Sequence, residues 1–412
     1  MRSQFVLRFP VAFNRLAWSN VAAQSADQLG LAAAPIVAVL AFGAGAGETG
    51  LLQAAQTLPF LLLSFPAGVL ADRISRRHLM ASAEALRAVS LVGILTVEVF
   101  HRLSLPTLAL LGFTGAAGTV AYSVAAPSLV PALVPREALA AANGRLEQAR
   151  STAFVAGPAL AGTLIGWTGA APAFGFAAAL SICAVLLLAG LREPARPALP
   201  RRHFCHGLRE GGVFVLSHPL LRPVLLTAVV FNTAFFVLQA VYVPYAVHRL
   251  GLSASAVGIT LGAYGTGMVV GAIFAARISR ALPFGTVVAI GPMAGLAAAG
   301  VMVLTIWVPS PLLAGISFFL IGAGPILWTI STTTLRQSVT PGDLLGRVSA
   351  VITTATFGAR PIGAAIGAAA GGALGTDACL LIAALGFLVQ AVVIMTSPVR
   401  RLARQPELHV AV

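Results

Sequence analysis

Gly68-Val69-Leu70-Ala71-Asp72-Arg73-Ile74-Ser75-Arg76-Arg77 closes one long apolar run and opens another. Its charged centre, Asp72-Arg73-Ile74-Ser75-Arg76, returns 204 residues later as Ala276-Arg277-Ile278-Ser279-Arg280, again between two apolar runs. Two further pairs recur at nearly the same offset. Leu133-Val134-Pro135-Arg136-Glu137 is answered by Val339-Thr340-Pro341-Gly342-Asp343 at 206, and Ala156-Gly157-Pro158 by Ala359-Arg360-Pro361 at 203. A fixed period of about half the chain marks an internal duplication, and the elements between the repeats must therefore come in two matching sets.

Composition says what those elements are. The 412 residues are 58% hydrophobic and 9% charged, with a mean hydropathy of +0.93. A soluble domain is about 45–50% apolar and about 25% charged, and a fold of this length has too much surface to hide such an excess. The chain belongs in a bilayer. Runs of about 20 mostly apolar residues are needed to cross a hydrocarbon core. Twelve fit, near 15–42, 48–71, 78–99, 106–132, 141–168, 171–191, 223–248, 254–276, 284–307, 311–335, 345–372 and 377–396. The expected fold class is all-α integral membrane, with twelve spans in two pseudo-symmetric six-helix bundles. Residues 1–191 form the first bundle and 223–412 the second. Residues 192–222 form a cytoplasmic linker ending in a short interfacial amphipathic helix.

All 26 basic residues are arginine. Without lysine there is no P-loop and no Schiff base to pyridoxal phosphate or retinal, and no cofactor is expected. The net charge of +14 does not point to nucleic acid, because the arginines gather at the ends of apolar runs. With the N-terminus inside, 23 lie in or beside cytoplasmic segments, Arg102 and Arg249 lie outside, and Arg360 is left within a span. This asymmetry places both termini in the cytoplasm, and the Ala-rich, lysine-free usage suits a bacterial cytoplasmic membrane. The N-terminus reads as an uncleaved first span. Three cysteines are too few for a disulfide framework, and His203, Cys205 and His206 lack the further ligands that a metal site needs.

Two parallel six-span halves related by an axis along the membrane normal form a transporter architecture with the substrate between them. At this point the resemblance becomes specific. The stretch from Gly68 to Arg77 resembles the major facilitator superfamily signature G-x-L-A-D-R-x-G-R-R, with Ser75 in place of a glycine. Gly157-Pro158-Ala159-Leu160-Ala161-Gly162 is similar to the span-five motif G-P-x-x-G-G of exporters in that superfamily. Ser25-Ala26-Asp27-Gln28 with Pro35, Leu133 to Glu137 with Ala142-Asn143, and Thr340 to Val348 resemble its branch of enterobactin exporters and macrolide-efflux proteins. The resemblance implies a major facilitator fold, and a latch built on Gly68, Asp72, Arg73, Arg76 and Arg77 in which Asp72 ties span two to span eleven when the outside is open. Gly157, Pro158 and Gly162 imply close approach and a kink where the halves meet.

Charges at mid-membrane depth are functional candidates by default, since each is costly without water or a partner. Asp27 is a candidate for proton coupling or substrate binding, with structural pairing as the alternative. Asn20 and Gln24 share its face at i, i+4 and i+7 spacing. Arg360 lies equally deep and is expected to pair with Asp27, attract an anionic substrate, or meet a helix end. Its counterpart in the first half is Gly157. Asn232, Phe235, Gln239 and Tyr242, with Phe236 beside them, form a mixed aromatic and amide stripe in span seven that suits a cavity for bulky amphipathic compounds. Tyr122 and Trp328, at the 206 offset, are weaker cavity candidates. Glu84 and Arg87 read as a local ion pair near the membrane interface.

These readings converge on a secondary transporter that is functional as a monomer and exports a hydrophobic or amphipathic small molecule, a drug or a siderophore, in exchange for protons by alternating access. A nutrient importer on the same fold and a non-transporting membrane sensor are the alternatives. No cluster of catalytic residues points to an enzyme.

Overall fold

The computed structural model describes residues 9–135, 138–193, 204–342 and 344–406, apart from the side chains of residues 65, 69, 71–73, 127–128, 140 and 204–208. The described residues form helices and short connections. In lipid only a helix or a closed barrel satisfies every backbone N–H and C=O from within. The first half runs α1 (Val11–Phe42), α2 (Ala46–Arg73), α3 (Arg76–Val99), α4 (Leu105–Leu133), α5 (Leu139–Thr168) and α6 (Ala170–Ala189). A shorter α7 (Phe204–Ser217) leads to α8 (Leu221–His248), α9 (Ala254–Ala281), α10 (Phe284–Leu304), α11 (Pro311–Val339) and α12 (Leu345–Thr396).

The spans agree with the twelve read from the sequence. Among the described residues nine helices are long and apolar enough to cross a membrane. The 52-residue α12 counts once there, although it is two helices joined at Gly375. With α2 and α5 the set is complete. At the hairpin between α5 and α6, Gly169 takes φ 89°, and Gly375 takes φ 83° at the matching point of α12. Only glycine adopts that backbone without strain. The two lie 206 residues apart, so the duplication reaches down to single turns.

Each half has an apolar core, and that of the second half also takes in Ile36 and Val39 of α1. Phe13, Leu16, Met80 and Leu129 are buried in the first, and Val241, Tyr245, Phe318 and Phe387 in the second. On α7, Val215 packs against Leu221, Leu225 and Val348, while Val213 and Leu216 stay exposed.

The halves meet along two seams, α2 against α12 and α5 against α9, which the repeat maps onto each other. Both seams are tightest at the end away from the termini. A Cβ on Gly50 would sit 2.5 Å from Ala368 Cα, and one on Gly47 3.2 Å from Gly372 Cα. In the other seam a Cβ on Gly162 would sit 2.3 Å from the Ala254 carbonyl oxygen and 3.0 Å from Gly258 Cα. Toward the terminus-bearing end, the same construction on Gly68, Gly144 and Gly346 meets nothing within 4 Å. The glycine contacts between the halves thus lie toward the end away from the termini. Small residues permit this backbone contact, which lipid-embedded helices need because apolar burial contributes little between them.

The seam makes a testable demand. Gly50→Ala places a methyl group into the backbone of α12 and should destabilise the folded protein by about 1–3 kcal/mol, the usual range for overpacking. Gly300→Ala, at a position with open space around it, should be neutral or slightly stabilising. Thermal unfolding of the two purified variants in one detergent checks the contrast.

Candidate functional site

Asp27 lies sixteen residues along α1 from Val11, deep in the first bundle. Its Oδ1 accepts a hydrogen bond of 2.7 Å from Thr119 Oγ1 on α4 and lies 3.5 Å from Arg87 Nη2 on α3. Arg87 Nη2 also donates to Thr119 Oγ1 at 2.7 Å, and Nη1 donates to the Ala23 carbonyl at 3.1 Å. One turn back on α3, Glu84 Oε1 accepts from Arg87 Nη1 at 2.6 Å. Its other oxygen accepts from Ser181 Oγ on α6 at 2.8 Å. Four helices thus converge on one guanidinium shared by two carboxylates. Glu84 has no exposed surface, and the Asp27 side chain keeps 14%.

Local sequence explains the convergence. Glu84 and Arg87 share a face at i, i+3 spacing. Gly118 brings α4 so near α3 that a Cβ there would lie 2.3 Å from the Ala83 carbonyl oxygen. That approach sets Thr119 beside Arg87. The cluster borders a cavity of about 60 Å³ that Gln56, Phe60 and Ser90 also line, large enough for a few waters. The wall is mostly apolar, with Gln56 Oε1 and Arg87 Nε both buried without a partner.

This arrangement corrects two expectations. Glu84 and Arg87 are not an interfacial pair but sit in the bundle core, joined to Asp27. Asp27 takes Arg87 as its partner, so the expected direct pairing of Asp27 with Arg360 is not made. Formally the cluster holds two negative charges and one positive, and a buried net charge is strongly disfavoured. Uptake of one proton makes it neutral.

Arg360 lies midway along the first arm of α12. Its guanidinium carbon lies over three phenyl rings, 4.1 Å from the Phe357 centroid, 5.1 Å from Phe60 on α2 and 5.5 Å from Phe236 on α8. The stripe on α8 divides. Tyr242 is wholly buried, donating to Thr260 Oγ1 at 2.5 Å and packing edge-on against Phe318. Phe235 is also buried, stacked on Tyr264. Both belong to the core, not to a shared cavity face. Asn232 donates to the Ala228 carbonyl of its own helix at 3.0 Å. It lines a separate cavity of about 130 Å³ with Trp328, Thr227 and Gln390. Gln239 is half-buried. Phe236, next to Phe235 in sequence, is the stripe's one ring against Arg360. Tyr122 is buried in the first core, so the 206 offset does not give two cavity residues. Asn20 donates to the Leu146 carbonyl on α5 at 3.2 Å, and Gln24 is half-buried nearby.

The motif residues behave unequally. Gly162 lies in the seam between the halves, whereas a Cβ on Gly157 would meet Gln28 on α1 within the first half. A Cβ on Gly258 would touch the Pro158 carbonyl across the seam at 2.3 Å. The side chains of Asp72 and Arg73 lie outside the described residues, as do His203 and the side chains of Cys205 and His206. At Ser75, which replaces the signature glycine, the hydroxyl caps α3 and donates to Glu193. The backbone N–H groups of Arg77 and Arg76 also donate to the Glu193 carboxylate, at 3.0 and 3.3 Å. Sequence reading missed Glu193, because nothing near it in the chain signals that it returns to the α2–α3 turn.

Burial works against ionisation of Glu193, but its bonds from Ser75 and the Arg77 and Arg76 backbone, with the charge of Arg76, outweigh this and hold its carboxyl below the usual range. A lowered folded value contributes stability that is whole above the unfolded value, near 4.3, and is lost as pH falls through the folded one. Protection of the Arg76 and Arg77 amides, their exchange rate relative to the free-chain rate at the same pH, should therefore hold down to a pH of about 4.3 and fall only below it. Glu193→Gln should lower this protection at neutral pH and flatten its pH dependence.

The family described as transmembrane secretion effector matches residues 19–409. The enterobactin exporter EntS of Citrobacter koseri is 27% identical over 335 residues, 80% of this chain and 78% of that one. EntS of Escherichia coli is 27% identical over 303 residues, 73% and 71% of the two chains. Among solved structures, the POT family transporter PepTSo superposes with a TM-score of 0.77 at 12% identity, covering 94% of this chain and 97% of that one. A bacterial homologue of the iron transporter ferroportin, in its inward-facing state, superposes with a TM-score of 0.73 at 16% identity, covering 95% and 99%. The chain belongs to the transmembrane secretion effector family of the major facilitator superfamily, and is a multi-pass membrane transporter and not an enzyme.

Proposed function

We propose that this transporter is a proton-coupled exporter of a hydrophobic or amphipathic small molecule, of the drug or siderophore kind, working as a monomer in a bacterial cytoplasmic membrane. The arginine asymmetry favours both termini in the cytoplasm. A cleft between the halves would then open to the cytoplasm, with the glycine seams closing the outer side. Export would begin with substrate entering this cleft. The halves would rock about its centre, parting the outer ends of α2 from α12 and of α5 from α9, and joining their inner ends.

The observation that carries the coupling is the buried cluster of Asp27, Glu84 and Arg87 beside a small cavity. A proton arriving from outside neutralises Asp27 or Glu84 and relaxes the hold of that carboxylate on Arg87. Return to the cytoplasm-open state carries the proton inward, and release restores the pair. Asp27 also touches Thr119, so its protonation is felt on α4 as well as α3. The exporter names among relatives and the span-five glycines of the seam favour efflux over uptake.

Everted membrane vesicles carrying the full chain, energised by an imposed pH gradient, should accumulate substrate from a panel of amphipathic drugs and siderophores. Asp27→Asn should abolish this uphill accumulation, at unchanged expression and membrane insertion, while leaving downhill exchange. Undiminished uphill transport by the variant would rule Asp27 out as the coupling group, and transport only in the opposite direction would favour an importer.

A further inference from the structure

Arg360 stands about 15 residues from Leu345 and 15 from the kink at Gly375, so roughly 22 Å of helix separates it from either end of its arm. A guanidinium at that depth needs a partner. Among the described residues it makes no hydrogen bond and no ion pair, and its Nε is buried without an acceptor. Asp27 lies close enough to be felt electrostatically, but its carboxylate is already held by Thr119 and Arg87. Arg150 on α5 and the uncharged phenol of Tyr264 on α9 are the other titratable groups near Arg360. Arg150 is a second cation, engaged by Glu147 at 2.6 Å.

What surrounds Arg360 is aromatic. Phe60, Phe236 and Phe357 come from three helices and both halves of the molecule. A ring face attracts a cation but offers no lone pair to an N–H. The charge is partly compensated while the in-plane donors of the guanidinium lack acceptors. The fold does not need the charge there, because the duplicated position in α5 is Gly157. Four seam helices and α8 thus bring their side chains around a cation whose hydrogen-bonding edge is unused, between the two halves.

We propose that Arg360 anchors a binding site for an organic anion with a flat aromatic body, such as an aromatic carboxylate or sulfonate. The anionic oxygens take the guanidinium edge, which is shaped for paired acceptors. The ring system lies among Phe60, Phe236 and Phe357, and Arg150 adds positive potential toward the mouth. This names the substrate class and rests on the cleft being the transport pathway proposed above.

The test is equilibrium binding to the full chain in lipid nanodiscs, with no pH gradient and with empty nanodiscs subtracted. The probes are 2-naphthalenesulfonate and a cation on the same ring system, 2-naphthyltrimethylammonium. The wild-type chain should bind the anion about tenfold more tightly than the cation, the ratio expected for one charge-assisted contact of about 1.4 kcal/mol. Arg360→Gln should lose about tenfold for the anion and none for the cation, and Arg360→Lys should lie between. Equal binding of the two probes by the wild-type chain, binding of neither, or equal losses for both in Arg360→Gln would overturn the proposal. The wild-type comparison decides the matter even where the glutamine variant does not fold. A chain that prefers the anion but fails to accumulate substrate against a gradient would sink the coupling and leave this site intact.

Discussion

Backbone contact through glycine, at one end of the molecule and not the other, is the constraint on which the rest depends. The α2–α12 and α5–α9 pairs have nothing between their backbones at Gly47, Gly50, Gly162 and Gly258. The internal repeat relates span two to span eight and span five to span eleven, so each seam is the image of the other. Symmetric seams give a rocking motion its fulcrum. Helices that touch without large side chains can part and rejoin with little repacking. The closed end proposed for the cleft follows from where these contacts lie.

Two deep cations meet different treatment within this frame. Arg87 is held by Glu84, Asp27, Thr119 and a backbone carbonyl inside the first half. Arg360 has only ring faces, and stands between the halves. The first cluster has an excess carboxylate and room for water, the conditions for taking and releasing a proton. The second has an excess of donors, the condition for receiving an anion. Asp27 lies within electrostatic reach of Arg360, so the charge of one site bears on the other.

Most of the fold was legible because bilayer spans obey a simple length and polarity rule, and because a duplicated chain states its topology twice. The break at Gly375 was visible as a gap between two apolar runs. The depth of Asp27 and Arg360 was legible for the same reason, since charge is rare in such runs. Partners were not legible. Helical spacing says which residues share a face, but not which neighbour that face meets. Glu84 and Arg87 sit near the start of an apolar run in the sequence, yet they lie two to three turns into α3 on the face that meets α1, α4 and α6. The α8 stripe failed likewise: Tyr242 and Phe235 fall on the face that packs against α9 and α11, and Phe236, one residue round, meets Arg360. Glu193 was hidden because its role depends on the chain folding back 116 residues to the α2–α3 turn.

Alternating closure about the two seams is the central claim, and distances measure it directly. Spin labels placed in pairs across the far end, at Leu51 and Leu374, and across the terminus-bearing end, at Gly144 and Gly346, report the two closures in liposomes by double electron–electron resonance. Each pair should show two populations in antiphase, so that conditions lengthening one distance shorten the other, and acidification should shift the balance unless Asp27 is replaced by Asn. A single fixed distance at both ends, or the two distances changing together, would contradict a pair of halves rocking about glycine seams.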